Sequence, residues 1–267
     1  MIRRLIFFTI IFSLFTFCNR VTKDDSHYIK IITEKGEIEV KLYNQTPKHR
    51  DNFLKLSNES FFNNQIFHRI IDNFVVQGGD PSTITAKPDS LYGNADSGYL
   101  IDAEIIDSLI HKRGAVGMAR EGDEINPEKK SSGSQFYLVK GKVYTNSQLD
   151  ELEKKRDSKN KSNLYKKLLQ EKISSFSIKK MIDTISISLD VSMAIDSIWE
   201  NYPKYKFTDK QRKIYTTIGG IPHLDGNYTV FGEIIKGLNI VDELSSVQTD
   251  KNDRPLQDIK FSVSVIK

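Results

Sequence analysis

The chain has 267 residues, of which 38% are hydrophobic and 28% charged, with a formal charge of +4. That composition excludes an intrinsically disordered chain and a many-span membrane protein, and leaves a globular body long enough to bury a real core. The basic excess is local, with 15 Lys/Arg against 10 Asp/Glu between Ser147 and Lys213, and the single cysteine, Cys18, excludes a disulfide framework, a thiol-ligated structural zinc and a Cys-x-x-Cys redox pair.

Taken in chain order, Met1-Ile2-Arg3-Arg4 is a short basic start, and Leu5 to Phe17 is an apolar run of about 13 residues, short of the roughly 20 that span a bilayer. It reads as an export signal. Cys18 ends the run and is followed by polar Asn19-Arg20 and Lys23-Asp24-Asp25-Ser26, which resembles a bacterial lipoprotein signal with Cys18 as the lipidated residue. Phe15-Thr16-Phe17 departs from the small residue usual before such a cysteine, and the alternative is an uncleaved N-terminal anchor. Under either reading residues 1–26 are signal, anchor and linker. They tether the following domain to a membrane of the cell envelope, facing the periplasm or the exterior.

Tyr28-Ile29-Lys30-Ile31-Ile32-Thr33, a turn at Glu34-Lys35-Gly36, and Glu37-Ile38-Glu39-Val40-Lys41-Leu42-Tyr43 alternate with period two and predict a hairpin. Pro47–Asn58 switches to helical spacing, with proline in the first turn. Short apolar runs at 66–71, 74–77, 115–119, 136–139, 228–232 and 259–266 are each flanked by Gly, Asp, Asn or Pro and predict strands. Many short strands with few helices point to a closed antiparallel barrel or a sandwich.

Residues 144–215 read as a helical insertion. Ser147-Gln148-Leu149-Asp150 is a cap signal, and Leu164, Leu168, Leu169, Ile178, Met181, Ile182 and Ile185 fall at helical spacings. Asn201-Tyr202-Pro203 ends one element and Thr208-Asp209 starts another. Trp199, the single tryptophan, is expected to anchor packing against a neighbouring helix.

The sequence lacks a phosphate-cradling Gly-x-x-x-x-Gly-Lys, a Gly-x-Ser-x-Gly nucleophile turn and a His-Glu-x-x-His motif. The five histidines are scattered without ligand spacing, so no metal site is expected. The Asp102/Glu104 pair reads as solvated surface and His68 as a satisfied structural residue. Arg69 is more distinctive, because it sits in the apolar run Phe67-His68-Arg69-Ile70-Ile71, just before Phe74-Val75-Val76-Gln77-Gly78-Gly79-Asp80. A half-buried guanidinium needs partners. Taken alone, it reads as a structural ion pair with a nearby acid.

Read with Gly117-Met118-Ala119-Arg120, Ser132-Gly133-Ser134-Gln135-Phe136-Tyr137-Leu138 and the stretch from Pro222 to Gly232, these segments resemble the cyclophilin-type peptidyl-prolyl cis-trans isomerases. The resemblance covers roughly residues 28–143 and 219–267. It implies a mainly β fold, an eight-stranded closed antiparallel barrel capped by two helices. Residues 27–143 and 216–267 would form that barrel, and 144–215 would be an α-helical insertion without counterpart in the minimal family domain. By position it implies that Arg69 is catalytic, assisted by Gln77, and that Phe74, Val75, Met118, Tyr137 and Leu224 make the proline pocket. Gln77, Ala119, Arg120 and Gln135 match positions that bind the peptide backbone along the groove. Tyr228 takes the place of a frequent histidine, and His223 stands where the best-known members carry a cyclosporin-contacting tryptophan. Val75 and Tyr137 replace a methionine and a phenylalanine.

The implied activity is acceleration of X-Pro bond rotation in unfolded or flexible proteins, as a folding catalyst of the cell envelope. The implied partners are proline-containing polypeptide clients, with no cofactor and no nucleic acid, and the chain is expected to act as a monomer. Two alternatives stay open at this point: a peptide-binding module of the same fold with little turnover, and an insertion that is itself the main functional element.

Overall fold

The computed structural model describes residues 26–175 and 184–266. The elements in chain order are β1 (His27–Thr33), β2 (Gly36–Leu42), α1 (Pro47–Asn58), β3 (Gln65–Ile66), β4 (Arg69–Ile70), β5 (Val75–Gly78), β6 (Leu100–Ile101), β7 (Ala115–Met118), β8 (Ser131–Ser132) and β9 (Phe136–Val139). There follow α2 (Asn146–Ser175), α3 (Thr184–Glu200), α4 (Asp209–Thr217), β10 (Val230–Lys236), α5 (Leu238–Ser245) and β11 (Lys260–Val265). Cys18 and the rest of the export signal lie outside the described residues, as do Ile178, Met181 and Ile182. Among the described residues no helix is long and apolar enough to cross a membrane.

The period-two hairpin forms as β1 and β2, and its alternation buries Ile29, Ile31, Ile38, Val40 and Leu42 on one side. Around it the antiparallel sheet runs in the order β3-β11-β1-β2-β10-β7-β9-β5-β4, with β6 and β8 as a separate pair. Its inner face holds a cluster of aromatic rings. Phe67 stacks on Phe261 at 4.5 Å and Phe53 on Phe62 at 4.8 Å, with Phe136 edge-on to Phe53 at 5.2 Å. Helix α1 adds Phe53 and Leu56 to this core, and α5 adds Val241 and Leu244.

The sheet is a curled, open half-barrel of nine strands, which corrects the expectation of a closed eight-stranded barrel. The reason lies in the run 66–71, which bends at Phe67-His68 and splits into two strands of two residues each. β3 pairs with β11 and β4 with β5, so the two ends of the sheet are joined by the chain and not by a ladder. The backbone there bonds to a neighbouring loop instead. Phe67 N–H donates to the Ile259 carbonyl at 3.1 Å and Ile70 N–H to the Asp253 carbonyl at 2.8 Å.

Glu104 is not solvated surface. Its carboxylate accepts from the Lys48 and His49 amides at 3.1 and 3.0 Å, capping the first turn of α1, and from His49 Nδ1 at 2.7 Å. Asp102 is exposed and pairs with Lys48 at 2.8 Å. In the helical segment, Thr208 and Gln211 form a reciprocal capping box that starts α4. Ile187, Val191 and Ile195 are the buried stripe of α3, which packs on α2. Trp199 stacks on Tyr202, 5.0 Å between centroids, with Lys204 Nζ 4.3 Å from its ring centroid.

His68, at the bend, is buried, but neither ring nitrogen has a hydrogen-bond partner. The expected satisfied residue is therefore structural but unsatisfied. Burial holds its pKa down to about 4 from an ordinary 6.5. The unfolded chain takes up this proton first, so the stabilisation is complete above pH 6.5 and is lost as pH falls toward 4. A gap of that size corresponds to about 3 kcal/mol. Burial also lowers the pKa values of His49 and His223, with the same sign. Asp123, held at about 2, loses its contribution only below its ordinary 3.8. Urea unfolding at pH 7 and pH 4.5 should show a loss of about 2–3 kcal/mol attributable to His68, and His68→Leu should remove most of that pH dependence. Equal slopes in the two proteins would remove His68 as its source.

Candidate active site

Strand register assembles the site. Arg69 on β4 faces Gln77 on β5, Gln77 faces Tyr137 on β9, and Tyr137 faces Gly117 on β7. The four form one row on the outer face of the sheet. One residue along, Ile70, Val76, Leu138 and Val116 form the matching inner row and enter the aromatic core. Gly117 is required by close approach, since a Cβ there would lie 2.6 Å from the Tyr137 ring.

Above this row, Arg69, Phe74, Val75, Gln77, Ala119, Arg120, Tyr137, Leu224 and Tyr228 line a cleft of about 180 Å³. Its floor belongs to a second apolar cluster, separate from the inner core, that includes Val75, Tyr137, Val139, Ile221 and Val230. Three of the residues singled out in the sequence stand elsewhere. Met118 is 1% exposed and packs in the inner core, because it has the parity of Val116 while Gly117 and Ala119 face out. Gln135 is buried behind Gln77. His223 stands on the rim with its ring parallel to that of Phe74, 5.7 Å between centroids and 8° between planes.

The Arg69 guanidinium is held from two sides. Its Nη1 donates to Gln77 Oε1 at 3.3 Å, and its Nε lies 3.5 Å from Asp253 Oδ2. Gln77 Nε2 donates in turn to Gln135 Oε1 at 3.1 Å, and Gln135 Nε2 to the Gly93 and Ala95 carbonyls at 2.8 Å each. Buried Asp80 fixes that loop, accepting from the Gly93 and Ala95 amides at 2.6 and 3.3 Å. The ion-pair reading of Arg69 and its place in the cleft therefore hold together. The side chain remains 40% exposed, open to a ligand.

Arg120 is more fully engaged. It donates to the Asn227 and Glu121 carbonyls at 2.6 and 2.7 Å and to Asp123 at 2.7 Å, with its guanidinium 4.6 Å from the Tyr228 ring centroid. It fixes Tyr228, which sits edge-on to Tyr137 at 6.3 Å.

Beneath the floor lies a buried polar knot that sequence reading did not find. Asp225 accepts from the His111 amide at 2.8 Å, from His111 Nδ1 at 2.9 Å and from the Tyr215 hydroxyl at 2.5 Å. On the other side of the ring, His111 Nε2 lies within hydrogen-bonding distance of the Tyr137 hydroxyl, at 2.9 Å. Burial pushes the Tyr137 phenol well above its ordinary value, keeping it a donor. Helix α4 is thus hydrogen-bonded through two buried side chains to the cleft floor. Asp225 lies inside a segment singled out in the sequence, but His111 is 114 residues away, a separation that no local pattern encodes. Among the described residues no group of three His, Cys, Asp or Glu side chains could hold a metal ion.

The family model described as cyclophilin type peptidyl-prolyl cis-trans isomerase matches residues 28–161 and 206–265. A Staphylococcus saprophyticus protein provisionally named a peptidyl-prolyl cis-trans isomerase is 26% identical over 250 residues, covering 92% of this chain and 96% of that protein. A Streptococcus pyogenes protein provisionally named a bifunctional phosphatase/peptidyl-prolyl cis-trans isomerase is 27% identical over 234 residues, covering 86% of this chain and 37% of that protein. Among solved structures, a cyclophilin type peptidyl-prolyl cis-trans isomerase from Cryptosporidium parvum is alike in fold. Its TM-score is 0.53 at 22% identity, with 91% of this chain and 98% of that chain covered. A second structure of that protein, obtained in the presence of the dipeptide Ala-Pro, has a TM-score of 0.52 at 22% identity, with 90% and 99% covered.

The knot makes a stability prediction. Asp225→Ala strands two buried donors and an amide, and should lower the unfolding free energy in urea by about 3–5 kcal/mol. Asp225→Asn keeps one acceptor and should cost less than half of that. A loss under about 1 kcal/mol for the alanine variant would mean that the knot does not hold the floor.

Proposed function

Because the chain belongs to the cyclophilin-type peptidyl-prolyl cis-trans isomerase family, we propose that its outer cleft catalyses rotation about X-Pro bonds in unfolded or flexible polypeptides, with Arg69 assisting the twist of the prolyl amide. The observation that carries this reading is a half-exposed guanidinium, braced by Gln77 and Asp253, in the same small cleft as Phe74, Tyr137 and Leu224.

An X-Pro amide resists rotation by roughly 18–20 kcal/mol because the nitrogen lone pair is delocalised into the carbonyl. Twisting returns the pair to nitrogen. A donor over that nitrogen stabilises the twisted form more than the planar one, which is differential binding of the transition state. Arginine suits the task because its charge is permanent and its fork has five donors, of which the hydrogen bond to Gln77 engages one while Asp253 pairs with the charge at 3.5 Å. One charged hydrogen bond contributes only about 1.5–3 kcal/mol, whereas a million-fold acceleration needs roughly 8 kcal/mol. The apolar cleft supplies the remainder by gripping the proline ring on one side while the rest of the peptide is held rotated.

Arg69→Ala should lower turnover of a proline tetrapeptide by about two to three orders of magnitude, and a near-normal rate would exclude Arg69 from the reaction. The rate should be nearly flat with pH from about 7 to 9. The guanidinium stays charged, and burial keeps His223 below its ordinary 6.5 and so neutral there. A bell-shaped profile would indicate acid–base chemistry instead.

We also propose, from residues 1–26, that the enzyme works on clients in the cell envelope from a membrane tether. Mass spectrometry of the mature N-terminus should find Cys18 as a lipidated first residue. An unmodified chain beginning at Met1 would favour the uncleaved anchor.

A further inference from the structure

Next to the cleft, beyond His223 and Asn227, is a second hollow of about 340 Å³ between the 222–227 segment and the first half of α2. Pro222, Phe207 and Tyr205 supply apolar walls, and its rim carries Lys155, Arg156 and Lys159, which share one face of α2 with Leu152. The lining has three cations and no carboxylate. Lys159 pairs with Asp123 at 2.9 Å. Arg156 lies 3.8 Å from the Tyr205 ring centroid, and neither it nor exposed Lys155 has a carboxylate partner among the described residues.

The two hollows share a wall. His223 faces the second hollow and stacks on Phe74 of the first, while Asn227 precedes Tyr228, which lines the cleft. An extended peptide advances about 3.3 Å per residue. A chain with its proline in the cleft therefore reaches the basic rim within a few residues, on one flank of the proline only.

We propose that this hollow is a specificity subsite that selects clients carrying an acidic residue near the isomerised proline, on that single flank. The proposal rests on the isomerase reading of the cleft. Cations without carboxylate partners beside low-dielectric walls focus a positive potential that an acidic side chain satisfies and a basic one opposes.

The test uses an octapeptide with one proline and otherwise neutral residues, and a series placing glutamate at each position on either side. At about 10 mM salt, where screening extends roughly 30 Å, glutamate on one flank should raise kcat/KM five- to tenfold over the neutral parent. Near 1 M salt, where it extends about 3 Å, the preference should fall below twofold. Lys155→Glu should abolish the preference and Lys155→Gln should halve it. Lys167→Glu, which makes the same charge change on the far part of α2, should leave it intact. Turnover of the neutral parent with no position above twofold, or a preference that survives Lys155→Glu, overturns the subsite while the isomerase reading stands. If no peptide is turned over, the isomerase reading fails. The same ratios, read as Kd by fluorescence anisotropy, then decide the subsite in the same way.

Discussion

The alternation of side chains across a four-strand register is the constraint from which the rest follows. Arg69, Gln77, Tyr137 and Gly117 lie in one outward row, and Ile70, Val76, Leu138 and Val116 lie in the adjacent inward one. A slip of one residue in any of these pairings would exchange a polar or aromatic cleft group for a core aliphatic. The aromatic core therefore protects the cleft indirectly, because rings such as Phe67, Phe136 and Phe261 tolerate only one register. Strands place Arg69, Val75, Gln77 and Tyr137, and the segments beside them supply Phe74, Ala119, Arg120, Leu224 and Tyr228.

The loops beside the strands act through two acids, buried Asp80 and half-exposed Asp253. Asp80 holds the turn whose carbonyls receive Gln135, and Gln135 orients Gln77 beside Arg69. Asp253 reaches Arg69 from the loop that covers the open end of the sheet, and the same residue's carbonyl takes the Ile70 amide. The bend that leaves the sheet open is thus also the place where the guanidinium gains its carboxylate. In a ladder-closed barrel the backbone of β4 would bond to a strand and not to Asp253.

Local periodicity carried much of this architecture. The β1–β2 hairpin, α1 with its leading proline, and the start of α4 at Thr208-Asp209 are written in contiguous residues and form as read. Cleft residues were legible because they cluster in short segments. Met118 shows a limit that was avoidable, since a strand cannot turn Met118 and Ala119 to the same side and parity alone assigns the methionine to the core. The open sheet was less accessible, because the apolar run 66–71 shows nothing of the bend at Phe67-His68. Glu104, His111 and Asp253 acquire their roles from partners 56, 114 and 184 positions away, separations that no window covers.

Entry to and exit from the helical segment are zipped together. Lys142 and Gly220 exchange both backbone hydrogen bonds, at 3.2 and 3.0 Å, and the Tyr144 amide donates to the Tyr215 carbonyl at 3.0 Å. Gly220 permits this approach at φ +151°, where a Cβ would meet the His111 carbonyl at 2.2 Å. Seen from the sheet, the far ends of α2 and α3 stand on a fixed clasp. The distal turns of α2 and α3 can lengthen, shorten or change composition over evolutionary time without disturbing a single strand pairing. The family model's silence over residues 162–205 fits such a freely diverging tip. The turns nearest the clasp have no such licence, because Tyr215 answers to the floor of the cleft.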